Sequence, residues 1–400
     1  KMDVIALDVS NGRSYCVFYQ DNICQFEGEI KHNKKGFMRI KQLVESCHSV
    51  PEIVFEATGV YSRVIERFCQ NNNFRYYLMN PLEARKQTDS LRVNKTDISD
   101  AHKLAQTHYF HERKPTNNFT PQYQKMRQLS RWYESNEQEI KKARNQLHVF
   151  LVQSFPEYEK YFSSISSEFA LEIIQLFPHP QRLEELSRTK IKNLILKSTR
   201  KKISSQRALI KAEEILGLSE QSYPAVSEDS IVVRLVAHWA NELLQLILLK
   251  NEIKKELTNK ALYFKEFYIY KSFPGVGELT AALLIAELGD LTRFDNPKQL
   301  NAYVGIDIQR YQSGNSGTYD RISKRGNTFA RKILFNTVNN MIRAQKSGPN
   351  HIVDYYYRAK EKPRTKKHKV ALIGCIDRFL KSIHHLVFLG QLYDYNLSPQ

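Results

Sequence analysis

Four acids and one serine are the residues of this 400-residue chain whose types and setting could do chemistry. Asp8 stands at the end of the apolar stretch "DVIALDVS", and Glu56 ends another within "VFEATG". "NKTDISDAHKLAQ" carries Asp97 and Asp100, spaced i and i+3 at the start of a helical pattern, so both share one side of that helix. Two carboxylates about 4 Å apart repel by roughly 4 kcal/mol at an effective dielectric near 20, so a converging set of four calls for protons or cations. Hard divalent cations, Mg²⁺ or Mn²⁺, suit such oxygen ligands, and a pair of them can clamp the attacking and leaving oxygens of a phosphodiester. Singly, each acid has an ordinary structural explanation: Asp97 as an N-cap, Asp100 as a first-turn partner of the helix dipole, Glu56 as a turn residue. Their ordered occurrence on suitable elements points to a metal site.

The serine lies in "GIDIQRYQSGNSGTYDRISKRGN", residues 305–327. Ser313 precedes Gly314 and Gly317 and is followed by Arg321, Lys324 and Arg325. Such glycines allow close backbone approach, and the cations supply charge for phosphate oxygens. Alone, the stretch reads as a polar surface loop. A free serine is a weak nucleophile that needs a base or a metal, which the four acids could supply. Ser316 is the next candidate.

Three strands, "DVIALDVS", "SYCVFYQ" and "NICQFEGEI", are followed by a helix near 34–48, a strand "EIVFEA", a helix near 61–72, a strand "RYYLMN" and a helix from Asp97. The predicted fold class is α/β plus α. Residues 1–118 form a mixed sheet in the order of an RNase H-like fold, in which the first and fourth strands are neighbours and the last helix crosses them. Residues 119–262 form a helical region whose apolar spacing predicts two long helices packed as an antiparallel coiled coil. Residues 263–400 form a mainly helical domain. There "SFPGVGELTAALLIAELGDL" resembles a helix-hairpin-helix element, with Gly275 and Gly277 exposing helix N-terminal amides to a nucleic-acid phosphate; a plain packing corner is the alternative.

The formal net charge is +18, which calls for a polyanionic partner. Residues 310–369 hold fifteen Lys and Arg against three Asp and Glu, including Lys366 and Lys367, so most of the surplus lies there. The longest apolar runs, such as "LLQLILL" at 243–249, fall short of the roughly 20 residues of a spanning helix, so no membrane is expected. The opening stretch after Met2 reads as a strand and not as a secretory segment. The five cysteines form no close C-x-x-C pair, and a reducing cytosol fits them.

Together, "ALDVS", "FEATG" and "KTDISDAHKLA" with "PGVGELTA", "YQSG" and "ISKRGN" resemble the DEDD-type insertion-sequence transposases over nearly the whole chain. The resemblance implies a RuvC-like, Holliday-junction-resolvase-like first domain whose acids fall on Asp8, Glu56, Asp97 and Asp100, and a serine nucleophile on Ser313. It further implies a composite site with acids and serine from different subunits, a covalent phosphoserine intermediate, donor and target DNA, a homodimer or homotetramer and, as in the bridge-RNA recombinases, a structured guide RNA. One departure is visible: many relatives carry "GL-x-P" before the serine loop, whereas this chain reads "GIDIQ", which leaves the path of the loop open. Two rivals remain at this level, a metal-only nuclease in which Ser313 merely binds phosphate and a nucleic-acid-binding protein without chemistry. For Tyr355 to Tyr357, stacking on unpaired RNA bases and a place in the core are equally open.

Overall fold

The computed structural model describes residues 2–79, 97–111, 113, 115–116, 120–309, 321–363 and 365–397. Ser313, Ser316, Gly314 and Gly317 lie outside the described residues. The chain forms two compact units, Lys1–Asn118 and Phe119–Gln400.

The first unit contains β1 (Asp3–Ser10), β2 (Arg13–Gln20), β3 (Ile23–Lys31), α1 (Lys34–Glu45), β4 (Glu52–Glu56), α2 (Arg63–Asn71), β5 (Tyr76–Met79) and α3 (Asp97–Phe110). Asp21 and Asn22 both take positive φ, 45° and 68°, as the two-residue turn between β2 and β3 requires. The sheet order is β3-β2-β1-β4-β5, with β1, β2 and β3 antiparallel and β1, β4 and β5 parallel. Strand alternation then sorts the side chains. Ile5, Leu7 and Val9 join Ile40, Ile65 and Cys69 from α1 and α2 on one face, while Val4, Ala6 and Val54 meet Ala101, Leu104 and Ala105 of α3 on the other. Because both faces of the central strands are covered, they read as continuous apolar runs.

In the second unit, α4 (Pro121–Ser154) runs antiparallel to α8 (Ile231–Ala261). Asn136 Nδ2 donates to the Leu246 carbonyl at 2.9 Å and Lys250 lies 3.1 Å from Glu137. Between them in sequence come α5 (Glu168–Leu176), α6 (Arg188–Ser198) and α7 (Ser205–Gln221), which share a core with Ile140, Leu147, Leu151, Val236 and Leu243. The other end of the pair, at Met126, Leu129, Ile253 and Leu257, enters a second core. That core is completed by α9 (Lys265–Lys271), α10 (Glu278–Leu288), α11 (Pro297–Val304), α12 (Thr328–Arg343), α13 (His351–Lys360) and α14 (His368–Leu389).

Counting uninterrupted apolar runs understated α8. Among the described residues this one helix is long and apolar enough to cross a membrane, with a mean hydropathy of 1.4 over its best window. Arg234, His238 and Asn241 break its runs without lowering that mean enough to disqualify it. Val233, Val236, Ala240, Leu243 and Leu244 of that window are buried within the unit, and together they make up 28% of it.

Candidate active site

The acids of the first unit are positioned by strand pairing. β1 and β4 run in parallel register with Leu7 beside Phe55, so the next residues, Asp8 and Glu56, stand side by side at the ends of that register. Both are half-buried. Alternation puts them on the face of Val4, Ala6 and Val54, the face that α3 covers.

The opposite end of α3 is fixed at the start of these strands. The Tyr109 hydroxyl donates to the Met2 carbonyl at 2.9 Å, and His108 Nε2 lies 2.6 Å from Glu52 Oε2. From His108 back to Asp100 the helix advances about 12 Å, at 1.5 Å per residue. From Glu52 to Glu56 the strand advances about 13 Å, at 3.3 Å per residue. The advances match, so Asp100 comes level with Glu56 and Asp8. Asp100 belongs to the stripe of Ala101, Leu104 and Ala105, with Lys103 Nζ 3.9 Å from its carboxylate and Ser99 Oγ donating to it at 3.4 Å. Asp97 is the first residue of the same helix. By these advances Asp8, Glu56 and Asp100 lie toward the same end of the sheet, although their carboxylate oxygens do not all lie within 4.8 Å of one another. Their donors are all carboxylate oxygens, the set that hard divalent ions take.

The serine stretch has a described base. β6 (Ile308–Gln309) and β7 (Arg321–Ile322) pair antiparallel, Ile308 opposite Ile322 and Gln309 opposite Arg321. Below them, Ser323 N donates to the Asp307 carbonyl at 2.8 Å, Lys324 N to that of Gly305 at 3.0 Å and Asn327 N to that of Tyr303 at 2.7 Å. The Ser323 hydroxyl also donates to the Asp307 carboxylate. Gly305 takes φ +78°, and a Cβ on Gly326 would lie 2.2 Å from the Tyr303 carbonyl oxygen, so two glycines let the backbones touch where the stretch begins and ends. The "GIDIQ" departure is accommodated here: Ile306 is buried and Asp307 holds Ser323. Arg321, Lys324 and Arg325 are exposed.

The remaining candidates separate into exposed and packed groups. Lys366 and Lys367 are exposed at the start of α14. Gly277 is exposed and is the N-cap of α10, but the next residue, Glu278, is ion-paired with Lys271 at 2.7 Å. Gly275, at φ +91°, has a packing reason of its own, because a Cβ there would come within 2.6 Å of the Met341 Cα. The tyrosine alternative resolves toward the core at two positions. Tyr356 is buried with its hydroxyl 2.8 Å from His368 Nδ1, and Tyr355 lies under the Arg378 guanidinium, 4.1 Å from the ring centre. Tyr357 is partly exposed and donates to Gln345 Oε1 at 2.9 Å.

Sequence reasoning passed over the group that seats this region. Glu287 of α10, fully buried, accepts two 2.8 Å bonds from Arg131 and one of 2.9 Å from Asn327 Nδ2. Asn327 is also the N-cap of α12, accepting from Phe329 N and Ala330 N. The cap was legible as an asparagine before an apolar helical pattern; its buried acid partner carried no local signal.

Two transposase family models match the chain, an IS110-type DEDD transposase model over residues 5–156 and one for the transposase IS116/IS110/IS902 family over residues 268–353. The chain is 38% identical over 77 residues to the transposase for insertion sequence element IS1111A of Coxiella burnetii, covering 19% of this chain and 21% of that protein. It is 32% identical over 83 residues to the transposase for insertion sequence element IS1328 of Yersinia enterocolitica, 21% of this chain and 25% of the relative. It is 23% identical over 317 residues to the pilin gene-inverting protein of Moraxella bovis, 78% of this chain and 73% of the relative. The matched stretch thus spans about a fifth to a quarter of the first two relatives.

Proposed function

Because the chain belongs to the IS110 family of DEDD-type transposases, we propose that it breaks and rejoins DNA as the site-specific recombinase of a mobile element. The observation that supports this reading is the parallel pairing of β1 and β4, which sets Asp8 and Glu56 side by side on the sheet face that α3 covers; helix and strand rises would put Asp100 of α3 near their level. Asp97, one turn earlier, completes the four acids. The similarity over most of the chain to a pilin gene-inverting protein supports recombination over cleavage alone.

Asp8, Glu56, Asp97 and Asp100 are the residues that would hold Mg²⁺ or Mn²⁺, and their all-oxygen donors fit such ions. When bound, the ion supplies electrostatic stabilisation of charge on the reacting phosphate oxygens. Ser313 Oγ, on losing its proton, attacks the DNA phosphorus. An Oγ–P bond forms, the P–O3′ bond breaks, and the departing 3′ oxygen takes up a proton. Attack of a second 3′ hydroxyl on the 5′-phosphoserine reverses these changes and frees the serine. The number of phosphoester bonds is unchanged throughout, so strand joining needs no external energy source. Arg321, Lys324 and Arg325 are exposed beside the serine stretch and offset the phosphate charge.

Away from the reacting phosphate, Gly275, Gly277, Lys366 and Lys367 contact the nucleic-acid backbone. A structured guide RNA would be held by the basic 310–369 segment through its phosphates, since Tyr355 and Tyr356 are engaged in packing. The spacing of Tyr133, Asn136, Ile140, Ala143, Leu147 and Ser154 along α4 follows a heptad seam, which supports an antiparallel coiled coil with α8. Exchange at two DNA ends requires at least a dimer. The assembly is then a cytosolic homodimer or homotetramer acting on donor and target DNA.

The test is a denaturation-resistant protein–DNA adduct on nicked DNA, mapped by mass spectrometry. The adduct is expected on Ser313 and absent from Ser313→Ala, with Asp8→Asn lowering its rate at least a hundredfold. An adduct on Ser316, or on Ser313→Ala protein, overturns the assignment of the nucleophile. Cleavage that survives Ser313→Ala without an adduct establishes the metal-only nuclease instead.

A further inference from the structure

A break in strand register brings together three ligand side chains that an unbroken strand would divide between two faces. β2 and β3 pair with Val17 opposite Glu27 and Phe18 opposite Phe26, but then with Tyr19 opposite Cys24, so Gln25 is the extra residue of a β-bulge. Without the bulge, Cys24 would share the face of Phe26, which packs beside Ile5 and Leu7. With it, Cys24 turns to the face of Glu27 and Tyr19, the side covered by α3. α3 supplies His102 there, its Nε2 2.7 Å from Glu27 Oε2 and its Nδ1 2.8 Å from the Tyr19 hydroxyl. The sulfur of Cys24, a Glu27 oxygen and a His102 nitrogen all lie within 4.8 Å of one another.

We propose that Cys24, Glu27 and His102 form a binding site for one divalent transition-metal ion of the Zn²⁺ class, distinct from the four-acid cluster. The donor chemistry selects the ion. A thiolate, an imidazole and one carboxylate favour Zn²⁺ or Co²⁺, whereas Mg²⁺ prefers oxygen throughout. Metal–ligand distances of about 2.0 to 2.3 Å in a tetrahedral site set neighbouring donors about 3.3 to 3.8 Å apart, so the 2.7 Å His102–Glu27 pair opens slightly while the Cys24 sulfur, within 4.8 Å, draws in. Tyr19 completes the site as the outer partner of the histidine. Its hydroxyl can donate to Nδ1 when Nε2–H faces Glu27, and can accept from Nδ1–H when Nε2 binds metal, so the ring keeps its orientation in both tautomers. Binding releases the thiol proton of Cys24, while the imidazole proton moves from Nε2 to Nδ1. Three protein ligands leave a fourth position for water. The ion would tie the β2–β3 hairpin to α3, the helix that carries Asp97 and Asp100, and is therefore a positioning element for them.

The test uses the full chain, stripped with chelator and titrated with Co²⁺ as the optical probe. One equivalent is expected to produce a thiolate-to-cobalt charge-transfer absorption and tetrahedral visible bands, both displaced by Zn²⁺. Cys24→Ser should abolish the charge-transfer band; His102→Gln and Glu27→Gln should each weaken binding at least tenfold, and Tyr19→Phe by about tenfold. Asp8→Asn should leave the band intact, which separates this site from the acid cluster. Far-ultraviolet circular dichroism confirms that each variant is folded. Absence of stoichiometric binding, or a band that survives Cys24→Ser in folded protein, overturns the proposal.

Discussion

His108 ties the C-terminal end of α3 to the first residue of β4. Arg113 can only donate, so His108 Nδ1 accepts its 2.7 Å bond and Nε2–H donates to Glu52 at 2.6 Å. The ring is therefore neutral in the fold, its edge against Tyr77 with centroids 4.6 Å apart. Burial pushes the His108 pKa below its ordinary 6.5; the bond to Glu52 opposes that shift and the nearby Arg113 charge reinforces it. The unfolded chain binds this proton more readily, so the contribution to stability is complete above about pH 6.5 and is lost as pH falls toward the folded value. His32 and His351 are depressed by burial in the same direction. We expect the melting temperature to fall below about pH 6.5 and the fall to be shallower in His108→Asn, as thermal melts between about pH 5 and 8 would read; an unchanged slope would refute this role. Asp8 and Glu56 could be found in the sequence because each ends a local apolar strand. The Glu52–His108 pair could not, since its partners are 56 residues apart and the bond exists only once α3 lies across the sheet.

At the scale of elements, Glu287 joins three helices. Arg131 reaches it from α4 and Asn327 from the cap of α12, while Arg131 also stacks on Phe329, 3.3 Å from the ring centre. Removing Arg131 leaves a fully buried carboxylate with Arg127 3.9 Å away as its remaining cation. Breaking a buried pair costs about 3 to 5 kcal/mol; the lower value applies here, because Arg131 is itself a third exposed and Asn327 remains. Urea unfolding of Arg131→Ala should therefore show a loss of about 3 kcal/mol, and a loss under about 1 kcal/mol would mean that the pair is not the seat of this junction. Helical periodicity made α4, α8 and α12 readable, since each buries a recurrent stripe. It gave no access to Arg131 and Glu287, 156 residues apart, or to the bulge at Gln25, because pairing register depends on both strands.

For the whole molecule, charge distribution sets the expected behaviour with DNA. The chain carries +18, and Arg321, Lys324 and Arg325 are exposed around the base of the serine stretch. Each cation that contacts a phosphate adds about 0.9 to the slope of log K against log salt, so replacing all three with alanine should lower the slope by roughly 2 to 3 on duplex DNA. An unchanged slope would remove these residues from the phosphate contacts. Patterning along the sequence suggested three regions, 1–118, 119–262 and 263–400; the structure forms two compact units, and in the second α4 and α8 extend from one core into the other. No local signal reports such sharing, which depends on helix length and partner alignment together. One further property follows from the touching backbones at Gly305 and Gly326. They bring entry and exit of the serine stretch to a single point, so length or sequence changes between Gln309 and Arg321 need not propagate into α11 and α12. The framework that presents this segment is thus anchored at both its ends by backbone packing, independently of the side chains the segment carries.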